Sequence, residues 1–129
     1  MQHNKLTIQI NQNVSTVFDF TIDPSNTPTW ISHLVIEETN EFPPKIGTIY
    51  RNHDGSEVWD EYSVVEFEQN KIFTLRSKDN NYSVRYTYTD LGDNKTEMEY
   101  YEWVETGELS NPFTQEVLDE LKTILESTD

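Results

Sequence analysis

The last stretch of the chain, residues 111–129, carries its one long amphipathic pattern, and it follows about 65 residues that read almost entirely as short strands. Apolar side chains recur at Phe113, Val117, Leu118, Leu121, Ile124 and Leu125. At about 100° per residue they fill an arc of roughly 140°. Asn111 suits an N-cap, and Pro112 suits the first helical position, where the absent N–H costs nothing. A lone helix of this length is marginal in water. Burying its six apolar side chains at roughly 1.5–3 kcal/mol each gives an upper figure of about 9–18 kcal/mol. Packing therefore makes this helix, and it needs a broad apolar partner. Strands closed by one such helix imply a curved sheet gripping it, with an interior between them.

The rest of the chain supplies that sheet. Leu6, Ile8 and Ile10 alternate with Lys5, Thr7 and Gln9, the period of a half-buried strand. Asn13 can cap a short helix carrying Val14, Val17 and Phe18, which Asp23-Pro24 ends. A second short helical piece holds Trp30 and Ile31. Six strands are expected near His33–Thr39, Thr48–Asn52, Glu57–Phe67, Ile72–Ser77, Tyr82–Thr89 and Thr96–Val104. Turn-rich separators divide them: Pro43-Pro44, Asp54-Gly55, Gln69-Asn70, Asp79-Asn80-Asn81 and Gly92-Asp93-Asn94. No repeat or low-complexity linker interrupts the series, so one domain is expected over residues 1–129.

This order of elements, with Val17-Phe18-Asp19-Phe20, Asp23-Pro24, Trp30, Gly47 and Val65-Glu66-Phe67, resembles the START-like, Bet v 1-like superfamily. Within it the chain is most similar to the bacterial polyketide cyclase/dehydrase-like branch. The likeness runs from about Lys5 to Glu126 and rests on element order rather than on any one motif. It implies an α+β helix-grip fold: a seven-stranded antiparallel curved sheet around a long C-terminal helix, with two short helices after the first strand. It also implies a cavity for lipids, steroids, polyketides or other apolar molecules, with cyclase and chaperone-partner relatives. The glycine-rich loop of the plant pollen-allergen members is missing, since only Gly47 stands in that region.

Hairpin turns set register, and register decides which side chains face inward. A two-residue turn at Asp54-Gly55 would set Arg51 opposite Val58 and Ile49 opposite Asp60. A turn at Gln69-Asn70 would set Val64 opposite Leu75 and Glu66 opposite Phe73. The loop Lys78–Asn81 would set Leu75 opposite Val84 and Phe73 opposite Tyr86. Together these predict a concave face of Ile49, Arg51, Val58, Asp60, Tyr62, Val64, Phe73, Leu75, Val84, Tyr86 and Tyr88, joined by Met98, Tyr100 and Glu102 in phase. A bulge at Tyr100-Tyr101 would turn Glu102 outward. Arg51 and Asp60 sit diagonally, within reach of one another, as a polar end to an apolar pocket or as a solvated pair at a sheet end. The same register sends Tyr50, Trp59, Phe67, Tyr101 and Trp103 to the convex face, to be covered, shifted by a bulge, or used in an interface such as a homodimer.

Formal net charge is −15, from 24 acidic residues against 9 Lys and Arg. Such a field repels nucleic acid and anionic membranes and suits solubility, a cationic ligand or a basic partner. Cysteine is absent, which removes disulfides and thiol chemistry and fits a reducing compartment. With no apolar leader or membrane-length run, the expected location is cytoplasmic. His3, His53 and His33 are scattered; His33 and Glu37 form at most two ligands, so no metal site is expected. Four spaced glycines offer no nucleotide loop and no serine sits in a nucleophile elbow, so neither a cofactor nor a catalytic set can be assigned.

The expected function is therefore binding of a small, mostly apolar molecule between sheet and helix. The lining expected is Trp30, Arg51, Asp60, Tyr62, Phe73, Tyr86, Tyr100, Glu102, Phe113, Val117 and Leu121. A cyclase or dehydratase shuttling protons through Asp60, Glu102 or Tyr100 is an alternative, as is a module that docks on a protein partner of chaperone type. The first two need a cavity; the third needs a filled interior.

Overall fold

The computed structural model describes residues 2–127. The chain runs β1 (Gln2–Ile10), α1 (Val14–Ile22), α2 (Thr27–Trp30), β2 (Ile36–Thr39), β3 (Ile49–His53), β4 (Asp60–Glu68), β5 (Ile72–Ser77), β6 (Tyr82–Gly92), β7 (Lys95–Val104) and α3 (Gln115–Ser127). All seven strands join one curved antiparallel sheet in the order β1-β7-β6-β5-β4-β3-β2. The first strand pairs with the last, and the two short helices carry the chain across to the far edge. This is the helix-grip architecture expected from the element order.

Local chemistry explains the boundaries. Asn13 caps α1, its side-chain oxygen accepting the Thr16 N–H at 2.9 Å. Asp93 and Asn94 take left-handed backbone (φ 52° and 57°), giving the tight turn between β6 and β7. Among the described residues no helix is long and apolar enough to cross a membrane.

The final helix differs from its expected start. Asn111 is no cap: its φ is 51°, a left-handed conformation that asparagine tolerates better than most residues. Residues 111–114 form no helix, and helix begins at Gln115. Leu118, Leu121 and Leu125 are buried, with Val117 and Ile124 packed beside them. The helix end is tied to the corner after β1. Lys122 Nζ donates to the Gln9 carbonyl, Gln12 Nε2 donates to the Leu125 carbonyl, and Glu126 accepts the Asn11 N–H. The expected extension to Asp129 lies partly outside the described residues.

Two register corrections matter for the interior. Between β3 and β4 the connection is the six-residue loop 54–59, not a two-residue turn. It pairs Arg51 with Glu61 and Tyr50 with Tyr62. Relative to the expected pairing this is an odd displacement, which flips β3 face for face. Tyr50 and Asn52 therefore point inward and Arg51 outward, while Val58 is 67% exposed in the loop. Between β4 and β5 the turn holds three residues, 69–71, and a bulge between Val64 and Glu66 removes the extra one. Val64 still meets Leu75, but Glu66 meets Thr74 instead of Phe73, and Phe67 turns inward against Phe18 and Phe73.

The other expected pairings hold: Leu75 with Val84, and Phe73 with Tyr86. On β7 Met98, Tyr100 and Glu102 all point inward, and no bulge interrupts residues 98–102. Two of the five rings expected outside, Tyr50 and Phe67, belong to the core instead. Tyr101 and Trp103 remain on the convex face, stacked at 5.1 Å with Arg85 over both rings, and His3 packs on Tyr101 from a paired position in β1.

Candidate functional site

A cavity of about 690 Å³ opens into the concave side of the sheet. Its floor is Phe73, Leu75, Val84, Tyr86 and Tyr100, from β5, β6 and β7. One wall comes from α1, α2 and β2 with the turn between them: Thr21, Thr27, Ile31, Leu34 and Glu37. The opposite wall comes from the approach to the last helix: Glu108, Ser110, Asn111 and Phe113. Asn52 of β3, Asp60 and Tyr62 of β4, Tyr82 of β6 and Glu102 of β7 add to the lining, with Trp59, Asp54, Lys78 and Asp79 at exposed rim positions. Its volume lies in the ordinary range for small-molecule sites.

Seven of the side chains expected at a ligand are brought together here: Asp60, Tyr62, Phe73, Tyr86, Tyr100, Glu102 and Phe113. Four are not. Arg51 faces solvent, where it pairs with Glu38 at 2.9 Å and lies over the Trp59 ring at 4.4 Å. It makes no pair with Asp60, because the flipped register puts the two on opposite faces. Val117 and Leu121 are part of the packed helix–sheet core, and no residue of α3 lines the cavity. The late helix start is the reason: the space lies against the non-helical segment before Gln115, not against the helix. Trp30 is fully packed outside the lining and meets two lining rings edge-on, Tyr86 at 6.3 Å and Phe113 at 6.2 Å.

Two carboxylates, Glu102 and Glu37, stand in this aromatic setting with hydrogen bonds from the protein. On β7, Glu102 is 2% exposed. Its Oε1 accepts from Tyr82 at 2.8 Å and Tyr100 at 3.4 Å, and its Oε2 from Asn4 at 2.9 Å and the Phe113 N–H at 2.8 Å. On β2, Glu37 accepts from the Thr27 hydroxyl at 2.6 Å and the Asn52 amide at 3.1 Å. Burial raises the Glu37 pKa above the ordinary glutamate value, against the lowering effect of those two hydrogen bonds. Its partner is not His33, which sits in an exposed turn before β2.

The tyrosines are held neutral. Burial is the largest cause of the raised pKa at Tyr82, Tyr86 and Tyr100, and neighbouring carboxylates push further in the same direction: Glu102 at all three, Glu37 at Tyr86 as well. Across physiological pH these phenols offer hydrogen bonds and ring faces, not bases. Tyr88 spends its hydroxyl on Thr21 at 2.6 Å, and Tyr50 donates to the Ile22 carbonyl at 2.7 Å, so both serve to seat α1 on the sheet.

No protein-family model matches the chain, and no curated protein matches it in sequence. Solved structures do resemble it. Protein MLL2253 from Mesorhizobium loti superposes with a TM-score of 0.78 at 14% identity, covering 99% of each chain. XoxI from Bacillus cereus gives 0.77 at 12% identity, covering 98% of this chain and 96% of its own. Ara h 8.0201 gives 0.70 at 11% identity, covering 98% and 99%. The fold is the Bet v 1-like helix grip. At these identities the likeness speaks for architecture and leaves function to the residues.

Several lining groups escaped the sequence. Tyr82 shares the alternation of Val84, Tyr86 and Tyr88, so extending that phase by one step would have found it. Asn52 was hidden by the loop length that reverses β3. Thr21 and Thr27 lie on short helices whose facing no strand pattern predicts. Among the described residues no group of three or more His, Asp or Glu side chains is placed to hold a metal ion.

Proposed function

We propose that this domain binds a small, mostly apolar molecule, of lipid, polyketide or aromatic type, in the cavity between the sheet and the segment leading into α3. The observation that carries the reading is the concave space of about 690 Å³ lined by Phe73, Leu75, Val84, Tyr86, Tyr100 and Phe113. A concave space of that volume, lined by ring faces and aliphatic side chains with a few polar groups, has the make-up of a small-molecule site. Ring faces and aliphatic side chains would supply affinity; Glu37, Asn52 and the tyrosine hydroxyls would orient the guest. Native mass spectrometry of freshly purified protein, followed by a thermal-shift screen of apolar molecules, tests this. The expected result is a co-purified adduct or a ligand-dependent rise in Tm, since binding to the folded state stabilises it by mass action. A bare chain that no apolar compound stabilises would count against it.

One observation favours an enzyme as second reading. Glu37 is a carboxyl raised by burial on a cavity wall, the disposition of a general acid or base. A cyclase or dehydratase built here would use Glu37 for proton transfer rather than Tyr100, which stays protonated. A chaperone-partner role calls for a filled interior, which this cavity disfavours.

A further inference from the structure

The two carboxylates set into the cavity walls differ in how fully they are used. A carboxylate has about four acceptor positions. On Glu102 four donors take them: Tyr82, Tyr100, Asn4 and the Phe113 N–H. Glu102 is thus a spent group, holding strands and loop together. On Glu37 there are two donors, Thr27 on Oε1 and Asn52 on Oε2, so each oxygen keeps one position open. Among the described residues neither carboxylate has a cationic partner, since the ion pairs are Lys45–Glu41, Arg51–Glu38, Lys71–Glu68, Arg85–Glu66 and Lys122–Glu126. A half-buried carboxylate with neither a counter-charge nor a full set of donors is a ready acceptor for a cationic donor that enters the cavity.

The surroundings favour one kind of completing group. Glu37 lines the cavity with Tyr62 and Tyr86, whose ring faces attract cations. The rim adds Asp54, Asp60, Asp79 and Glu108, against Lys78 and His33 as its basic members. An incoming cation is drawn toward such a mouth and an anion is repelled.

We propose that the ligand carries a cationic nitrogen on an aromatic or aliphatic body, and that this nitrogen docks on the open acceptor positions of Glu37 while the body lies over Phe73, Tyr86 and Tyr100. This rests on the ligand-binding reading and narrows it from apolar molecules in general to cationic amphiphiles.

Two matched series test it by calorimetric titration of the intact protein: tryptamine, tryptophol and indole-3-acetate; and decylamine, decanol and decanoate. In at least one series the amine should bind about tenfold or more tighter than the alcohol, and the acid weakest. Glu37→Gln should bring the amine down to the level of the alcohol and leave the alcohol unchanged, whereas Glu38→Gln, a surface carboxylate of the same strand that lies outside the cavity and pairs with Arg51, should keep the preference. As a readout that needs no variant, the Glu37 carboxyl carbon resonance of the wild-type protein should shift with the preferred amine and not with its alcohol. Alcohol or acid binding as tightly as the amine overturns the inference and leaves the cavity reading standing. A preference that survives Glu37→Gln, or a silent Glu37 resonance, overturns the assignment to Glu37. Failure of all six compounds to bind overturns the inference and the cavity reading together.

Discussion

The Phe113 N–H donates to the Glu102 carboxylate at 2.8 Å, while the Phe113 ring lies flat on Tyr100, centroids 4.0 Å apart and planes 6° from parallel. This one residue joins the loop before α3 to the sheet twice, by a charge-assisted hydrogen bond and by a stacked ring. It also shapes the cavity wall that the helix itself does not reach. Glu102→Ala would strand the Tyr82, Asn4 and Phe113 donors in a buried place. It should lower stability by about 3–5 kcal/mol in urea denaturation. Glu102→Gln keeps an acceptor for half of them and should cost about 1–2 kcal/mol. Equal midpoints for Glu102→Ala and wild type would show that the network holds nothing.

Glu37 should make stability depend on pH in a definite direction. Its folded pKa is raised above the ordinary value of 4.5. The folded state therefore binds this proton more tightly than the unfolded state. That contribution is fully present below the unfolded value and is lost as pH rises through the folded one. The stability of wild type minus that of Glu37→Gln should fall as pH is raised above the ordinary value of 4.5, and level off once pH has passed the raised folded value. Urea midpoints of both proteins across that range give the difference directly, and parallel curves would refute the burial of this carboxyl.

Arg51 belongs to the surface. Its pair with Glu38 is half exposed on both sides, so Arg51→Ala should cost less than about 1 kcal/mol and leave affinity for any cavity ligand unchanged. A large loss of binding in this variant would mean that Arg51 reaches the ligand after all.

The contrast between Arg51 and Glu102 shows what the sequence could reveal. Alternation over β5, β6 and β7 is long, and it puts Phe73, Leu75, Val84, Tyr86 and Tyr100 on the inner face, where the structure has them; Glu102 joins them because the bulge at Tyr100-Tyr101 that would turn it outward does not form. Across residues 54–59 register depends on a loop length. Asp54-Gly55 looks like a complete two-residue turn, yet the chain runs on to Trp59 before pairing resumes. Val64 meets its expected partner Leu75 because a three-residue turn and a bulge each displace the register by one, in opposite senses. The helix start failed for a different reason. Asparagine serves both as an N-cap and as a left-handed turn residue, and Asn111 takes the second role.

The convex face is smaller as an interface than the sequence suggested. Tyr50 and Phe67 are inside, and Arg85 covers Tyr101 and Trp103. Two chains of net charge −15 would also repel on approach. Light scattering on the purified protein should therefore give the mass of one chain. A stable dimer mass that Trp103→Lys returns to one chain would establish the face as an interface.

The cavity is the central claim, and a heteronuclear NMR titration with the strongest hit of the thermal-shift screen tests it most directly. The predicted result is saturable shifts confined to lining residues, Glu37, Tyr62, Phe73, Tyr86, Tyr100 and Phe113 above all. Shifts confined to convex-face residues such as Tyr101 and Trp103, with the lining unmoved at saturation, would contradict it.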